Sequence, residues 1–156
     1  NICILSMLLK EKIVSDFRDI TALGSYSLLI PLIIFVFLAG IKTLALQLLI
    51  GFVLTYAIAF IIRIFYFKDR PAKEKYNSML SKIDSSSFPS VHSARAILYA
   101  VLISNYFNNY ILYIFLVVLA LIVSYSRVYL KKHYWIDVVA GWIIGLVLVF
   151  PILRFF

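Results

Sequence analysis

Long uncharged runs separated by short charged clusters set the pattern of this chain. Residues 20–41, 43–62, 96–126 and 138–153 contain no Asp, Glu, Lys or Arg. A bilayer-spanning helix needs about 20 mostly apolar residues, so the first two runs qualify directly. The third is too long for one crossing and is broken by the polar stretch Ser104 to Asn109, so it reads as parts of two spans. The fourth becomes long enough if Tyr134 to Asp137 begins the helix and Phe155-Phe156 extend it. The pattern predicts five spanning helices at about 21–40, 43–67, 90–106, 109–127 and 134–155. Asn1 to Leu9 is too short to cross and Lys10-Glu11-Lys12 interrupts it, so residues 2–18 are expected to form an interfacial amphipathic helix and not a signal peptide. The expected fold is an all-α integral membrane helical bundle, one membrane-embedded domain over residues 1–156.

Composition supports this: 64% of the residues are hydrophobic and the mean hydropathy is +1.03, beyond any ordinary soluble domain. The net charge of +8 is clustered at the N-terminal segment, around Lys68 to Lys82 and around Arg127 to Lys132. In a soluble protein such charge would point to nucleic acid; between spans it points to anionic lipid head groups or phosphates. The single cysteine, Cys3, excludes an internal disulfide. Alternating the spans puts the N-terminal segment, the 68–88 connection and the 128–133 connection on one face. Lys42, the 104–109 turn and the C-terminus fall on the other.

The first face carries every residue with chemical promise. Arg63 ends the second span and Arg70-Pro71 opens the long connection; Ser90 and His92 start the third helix. Arg127 ends the fourth, and His133 and Asp137 start the fifth. Ionisable groups at membrane depth are costly, so they mark function by default. Three converging guanidinium groups would trap a phosphate, because each offers paired donors to its oxygens. The helix start at Ser90 to His92 adds backbone N–H donors and positive dipole. If residues 133–137 are helical, Asp137 lies one turn from His133 and can fix its tautomer, leaving the other ring nitrogen free to attack. The arrangement predicts phosphoryl transfer through a phosphohistidine on His133. His92 would be the acid and then the base, with arginines in place of a metal and no cofactor.

Three motifs, Arg63-(six)-Arg70-Pro71, Pro89-Ser90-Val91-His92 and Ser126-Arg127-(five)-His133-(three)-Asp137, resemble the signatures of the type 2 phosphatidic acid phosphatase family. That family contains integral membrane lipid phosphatases and shares its site with soluble acid phosphatases and vanadium haloperoxidases. The resemblance covers roughly residues 43–150. It implies His133 as nucleophile, Asp137 as its orienting partner and His92 as acid. Arg63, Arg70, Arg127, Ser90 and the backbone N–H of Val91 would be phosphate ligands. The family usually has lysine where Arg63 stands and glycine where Val91 stands; valine restricts the dihedrals and crowds the approach. Its core usually has six spans, against five plus an N-terminal segment here.

Other residues have plainer readings. Lys131 and Lys132 read as interfacial anchors; Lys68, Lys73, Lys75 and Lys82 read as attraction to anionic lipid, with a head-group contact open for Lys68. Arg95, one turn after His92, is open between a second phosphate or head group and a pair with Asp69 or Asp84. Gly141-(three)-Gly145 reads as close packing inside the bundle, with a dimer seam as the alternative; the oligomeric state, a monomer included, is left open. The expected partner is a membrane lipid phosphate in the bilayer: undecaprenyl diphosphate, phosphatidylglycerol phosphate, phosphatidic acid or the 1-phosphate of lipid A. Competing readings are a lipid-to-lipid phosphotransferase and a non-catalytic lipid-phosphate binder or transporter component. The positive-inside rule would make the charged face cytoplasmic. The family resemblance instead favours the periplasmic (outer) face of a bacterial inner membrane, and that placement is adopted as the expectation.

Overall fold

A computed structural model describes residues 2–72 and 77–156. Lys73 and Lys75, read above as lipid-attracting charges, lie outside the described residues. Every regular element among those described is a helix: α1 (Ile2–Ala22), α2 (Tyr26–Leu38), α3 (Lys42–Phe65), α4 (Met79–Ser85), α5 (Val91–Phe107), α6 (Tyr110–Tyr129) and α7 (Trp135–Phe155). The chain is an integral membrane helical bundle. Among the described residues α3, α6 and α7 are each long and apolar enough to cross a bilayer, and α2 qualifies only together with the end of α1, across a 40° bend.

Helices stand near all five expected spans, but among the described residues three of them are long and apolar enough to cross alone, four with the bent α1–α2 pair, and the 17-residue α5 is not one of these. Two further differences are local. The second predicted span stops at Phe65, because Tyr66 turns extended ahead of the polar run Lys68-Asp69-Arg70. The 68–88 connection is not all loop: Ser78 caps α4, its hydroxyl accepting from the Ser81 N–H at 3.1 Å while the Ser81 hydroxyl accepts from the Ser78 N–H. Between α5 and α6, Asn108 takes the left-handed conformation (φ 46°), and the Asn109 side chain accepts from the Leu112 N–H to start the next helix.

Helix α5 is the axis of the bundle. It packs against α3, α6 and α7, and its buried residues include Ser93, Arg95 and Ser104 as well as Leu98 and Leu102. Shielding from lipid explains how a helix so rich in polar residues sits among spans. Outward faces show the reverse pattern: Ile111, Phe115 and Val118 of α6, and Ile143 and Val147 of α7, are exposed, as lipid contact requires. The glycines of α7 permit its approach to α5. A Cβ on Gly141 would meet the Ser90 carbonyl oxygen, and one on Gly145 would meet the Ala94 carbonyl oxygen. The small-residue spacing therefore serves packing within the bundle, as its first reading held.

Candidate active site

One end of the bundle gathers the chemistry. The 68–88 and 128–133 connections are tied there by backbone bonds, Ser87 N–H to Lys68 carbonyl at 2.8 Å and Ala72 N–H to Lys131 carbonyl at 3.0 Å. A cavity of about 430 Å³ opens beside them. Its walls include Arg63, Arg70, Val91, His92, Arg95, Arg127 and His133, together with Tyr26, Phe52, Tyr56 and Asp84. Seven of the ten site residues singled out from sequence thus meet in one space; Ser90, Lys68 and Asp137 do not line it.

His133 sits in the α6–α7 connection, 2% exposed. The N–H groups of Lys132 and His133 both donate to the Arg127 carbonyl, at 3.0 and 3.2 Å, and Lys131 turns left-handed (φ 53°) to allow it. His133 is therefore in a turn, not a helix, and the expected face shared with Asp137 does not exist. Its Nδ1 lies 2.5 Å from the Ser87 carbonyl oxygen. A carbonyl oxygen only accepts, so Nδ1 carries the proton and Nε2 of the neutral ring keeps its lone pair. Burial, and next the Arg127 cation, push the His133 pKa well below its ordinary value, outweighing the opposing Ser87 bond.

Asp137 is fully buried and is spent elsewhere. It accepts from Lys68 Nζ at 2.6 Å, from the Ser87 hydroxyl at 2.8 Å and from the Tyr134 N–H at 2.8 Å. Two expectations are corrected here. Asp137 is bonded to the Ser87 hydroxyl and not to the His133 ring, and Lys68 is paired with Asp137 and not free. The Lys68 ammonium also lies 4.6 Å from the Tyr134 ring centroid.

Carbonyl and hydroxyl oxygens hold the arginines, and Arg63 also has a 3.5 Å ion pair with the Asp84 carboxylate. Arg63 Nη2 donates to the Pro89 carbonyl at 3.1 Å and Nη1 to the Asp84 carbonyl at 3.2 Å; its Nε is buried with no hydrogen-bond partner among the described residues. Arg70 donates to the same Asp84 carbonyl at 3.1 Å, and Arg127 to the Thr21 hydroxyl at 3.0 Å. Arg95 does not pair with Asp69 or Asp84: it donates to the Thr55 hydroxyl and lies over the Phe52 ring. The Ser90 hydroxyl caps α5 and shares a 2.9 Å contact with the Ser93 hydroxyl, and the Ser90 N–H donates to the Asp137 carbonyl. Val91 begins α5 with an ordinary negative φ, so no left-handed geometry demands glycine there.

Four contributors were not legible beforehand: Ser87, Thr21, Gly24 and Thr55. The α1–α2 bend lies directly on the site, since a Cβ on Gly24 would come within 3.1 Å of the His92 side chain. The serine triplet Ser85-Ser86-Ser87 was visible as polar, but nothing in it singles out one carbonyl.

A family model for the PAP2 superfamily matches residues 44–156, and the chain belongs to that superfamily. It is 29% identical over 99 residues to the undecaprenyl-diphosphatase BcrC of Bacillus subtilis (strain 168), a match covering 63% of this chain. The chain spans about half the length of that curated relative (50%). Among solved structures, Aquifex aeolicus LpxE superposes with a TM-score of 0.75 at 26% identity, covering 91% of this chain and 86% of that one. The first transmembrane PAP2 type phosphatidylglycerolphosphate phosphatase from Bacillus subtilis superposes with a TM-score of 0.72 at 28% identity, covering 92% and 76%.

Proposed function

We propose that this chain is one membrane domain that removes phosphate from a lipid, without a metal, through a phosphohistidine on His133. The observation that carries the reading is the Nδ1–Ser87 contact, which leaves Nε2 as a lone-pair donor in a cavity walled by four arginines. In the first step Nε2 attacks phosphorus as the bond to the lipid oxygen breaks, and His92 gives that oxygen a proton. The negative charge of the arriving phosphate favours the protonated His92 ring, and the arginines neutralise the equatorial oxygens. Water then attacks the phosphohistidine, His92 takes its proton, the P–N bond breaks and inorganic phosphate leaves.

A lipid substrate follows from what adjoins the cavity. A wholly apolar cleft of about 460 Å³ runs between α2 and α3, lined by Ile34, Phe37, Leu46, Leu49 and Val53. Ile30 and Phe52 belong to both spaces, so a head group in one continues into a hydrocarbon tail in the other. The relatives act, by their names, on undecaprenyl diphosphate and phosphatidylglycerolphosphate, which keeps both classes among the candidates with phosphatidic acid and lipid A 1-phosphate. Several of the basic residues on the site face belong to the site itself, which discounts the positive-inside count, and the family resemblance then favours the outer face of a bacterial inner membrane.

Purified chain in detergent with EDTA, given a short-chain phosphatidic acid, tests the reading. Phosphate release that disappears in His133→Ala supports it; release only when an acceptor lipid is added would mean a phosphotransferase, and no turnover or retained activity in His133→Ala would refute the assignment.

A further inference from the structure

Arg95 is a buried cation whose hydrogen-bond and ring partners among the described residues are all neutral. It is 4% exposed and lies on the wall of the same cavity as His92 and His133. Its polar contacts are long: Nε to the Thr55 hydroxyl at 3.3 Å and Nη2 to the Phe52 carbonyl at 3.5 Å, with Cζ 3.9 Å from the Phe52 ring centroid. No carboxylate forms an ion pair with it among the described residues. A guanidinium held inside a membrane bundle by such partners is costly unless an anion arrives to offset it.

Its depth decides which anion. Helix α5 starts at the site end and runs into the bundle, so Arg95 lies three residues, about 4.5 Å, further in than His92. Phe52, beneath its guanidinium, also begins the apolar cleft. Arg95 thus stands between the place where phosphorus is attacked and the place where the tail starts. In a glycerol-linked monoester that stretch of substrate is neutral. In a lipid diphosphate it is the second phosphoryl group.

We propose that Arg95 binds the phosphoryl group retained by the lipid, making this site selective for a lipid diphosphate over a monophosphate. The inference rests on the phosphatase reading above. On cleavage the P–O bond between the two phosphoryl groups breaks, the distal phosphoryl passes to His133 Nε2, and the leaving group is the lipid monophosphate. Arg95 then faces its developing negative charge, in charge-assisted hydrogen bonds and with a planar fork that lysine lacks.

The test compares farnesyl diphosphate with farnesyl monophosphate on the purified chain in detergent. Wild type is expected to favour the diphosphate in kcat/KM, and Arg95→Gln and Arg95→Lys to lower the diphosphate-to-monophosphate ratio by about tenfold or more. An equal loss on both substrates would show a packing role only and overturn the proposal. So would a wild type that prefers the monophosphate, although the phosphatase reading would then stand. Turnover of neither substrate would fail that reading itself. Should both variants fail to fold, wild type alone decides. Inhibition at least about tenfold tighter by farnesyl methylenediphosphonate than by the matching monophosphonate supports the second subsite, and equal inhibition overturns it.

Discussion

Replacing Asp137 by asparagine separates the direct from the relayed account of how the nucleophile is held. The carboxylate offers one oxygen to Lys68 and the other to the Ser87 hydroxyl and the Tyr134 N–H. Asparagine has one acceptor oxygen, so its amide must face a donor on one side. The less costly choice keeps Ser87 and Tyr134 and abandons Lys68, whose side chain is 24% exposed and can swing to water. Breaking a buried pair costs about 3–5 kcal/mol when the survivor stays buried. The escape of Lys68 reduces this to about 2 kcal/mol, a fall in Tm of about 4–8 °C for a chain of this size. Lys68→Met should cost more, because fully buried Asp137 then has no route to solvent, and the double variant should recover at least about 1 kcal/mol of the summed losses. Activity should fall further than stability in Asp137→Asn. The Ser87 carbonyl that receives the His133 proton is steadied by the Ser87–Asp137 bond, and a misplacement approaching 1 Å costs about a hundredfold in rate. Ser87→Ala, which keeps the carbonyl but loses the hydroxyl, should show a milder loss in the same direction. Thermal unfolding in detergent and phosphate release would measure these effects. An Asp137→Asn protein with unchanged melting and kcat within twofold of wild type would refute the relay.

Other expectations follow from single contacts. Because the native His133 pKa is depressed, acid favours the unfolded chain. The stability tied to this group is fully present above its ordinary value of about 6.5 and is lost as pH falls toward the native value, at up to about 1.4 kcal/mol per pH unit. His133→Gln should flatten that part of the stability–pH curve, and an identical slope in both proteins would rule it out. Val91→Gly should leave kcat/KM within about threefold of wild type or raise it, since φ is already negative there and only space is gained, whereas an inactive but folded variant would show that the side chain itself is needed. Gly141→Ala should lower stability by about 2 kcal/mol or more, because its Cβ would press on the Ser90 carbonyl and on the Ala94 nitrogen at 3.2 Å, both backbone atoms; an unchanged Tm would contradict the packing reading.

Much of the site was legible because apolar surroundings make each charge conspicuous. Arg63, His92 and Arg127 stood out at the ends of uncharged runs, and their ends of the bundle could be sorted by counting crossings. What could not be read were partners that charge and period leave unmarked. Ser87 acts through a carbonyl that every residue possesses, Thr21 and Gly24 reach the site because α1 and α2 bend there, and α4 is a short helix whose cap uses Ser81 where the recognisable pattern has glutamate.

The misreading of Asp137 shows why motif spacing and motif geometry are different kinds of information. Three residues between His133 and Asp137 suggested one helical turn, yet only Asp137 is in α7. The five residues after Arg127 span a return in which two successive N–H groups meet the Arg127 carbonyl. That return brings the imidazole back over the cavity that Arg127 lines. The remaining spacing then sets Asp137 in the first turn of α7, where its oxygens reach Ser87 and the Tyr134 N–H. Inserting a residue between His133 and Asp137 would keep both side chains but shift the carboxylate about 100° around α7. By the relay through Ser87 such a protein should fold less stably and lose the preferred tautomer of His133, and wild-type activity in it would show that the spacing matters only as a mark of ancestry.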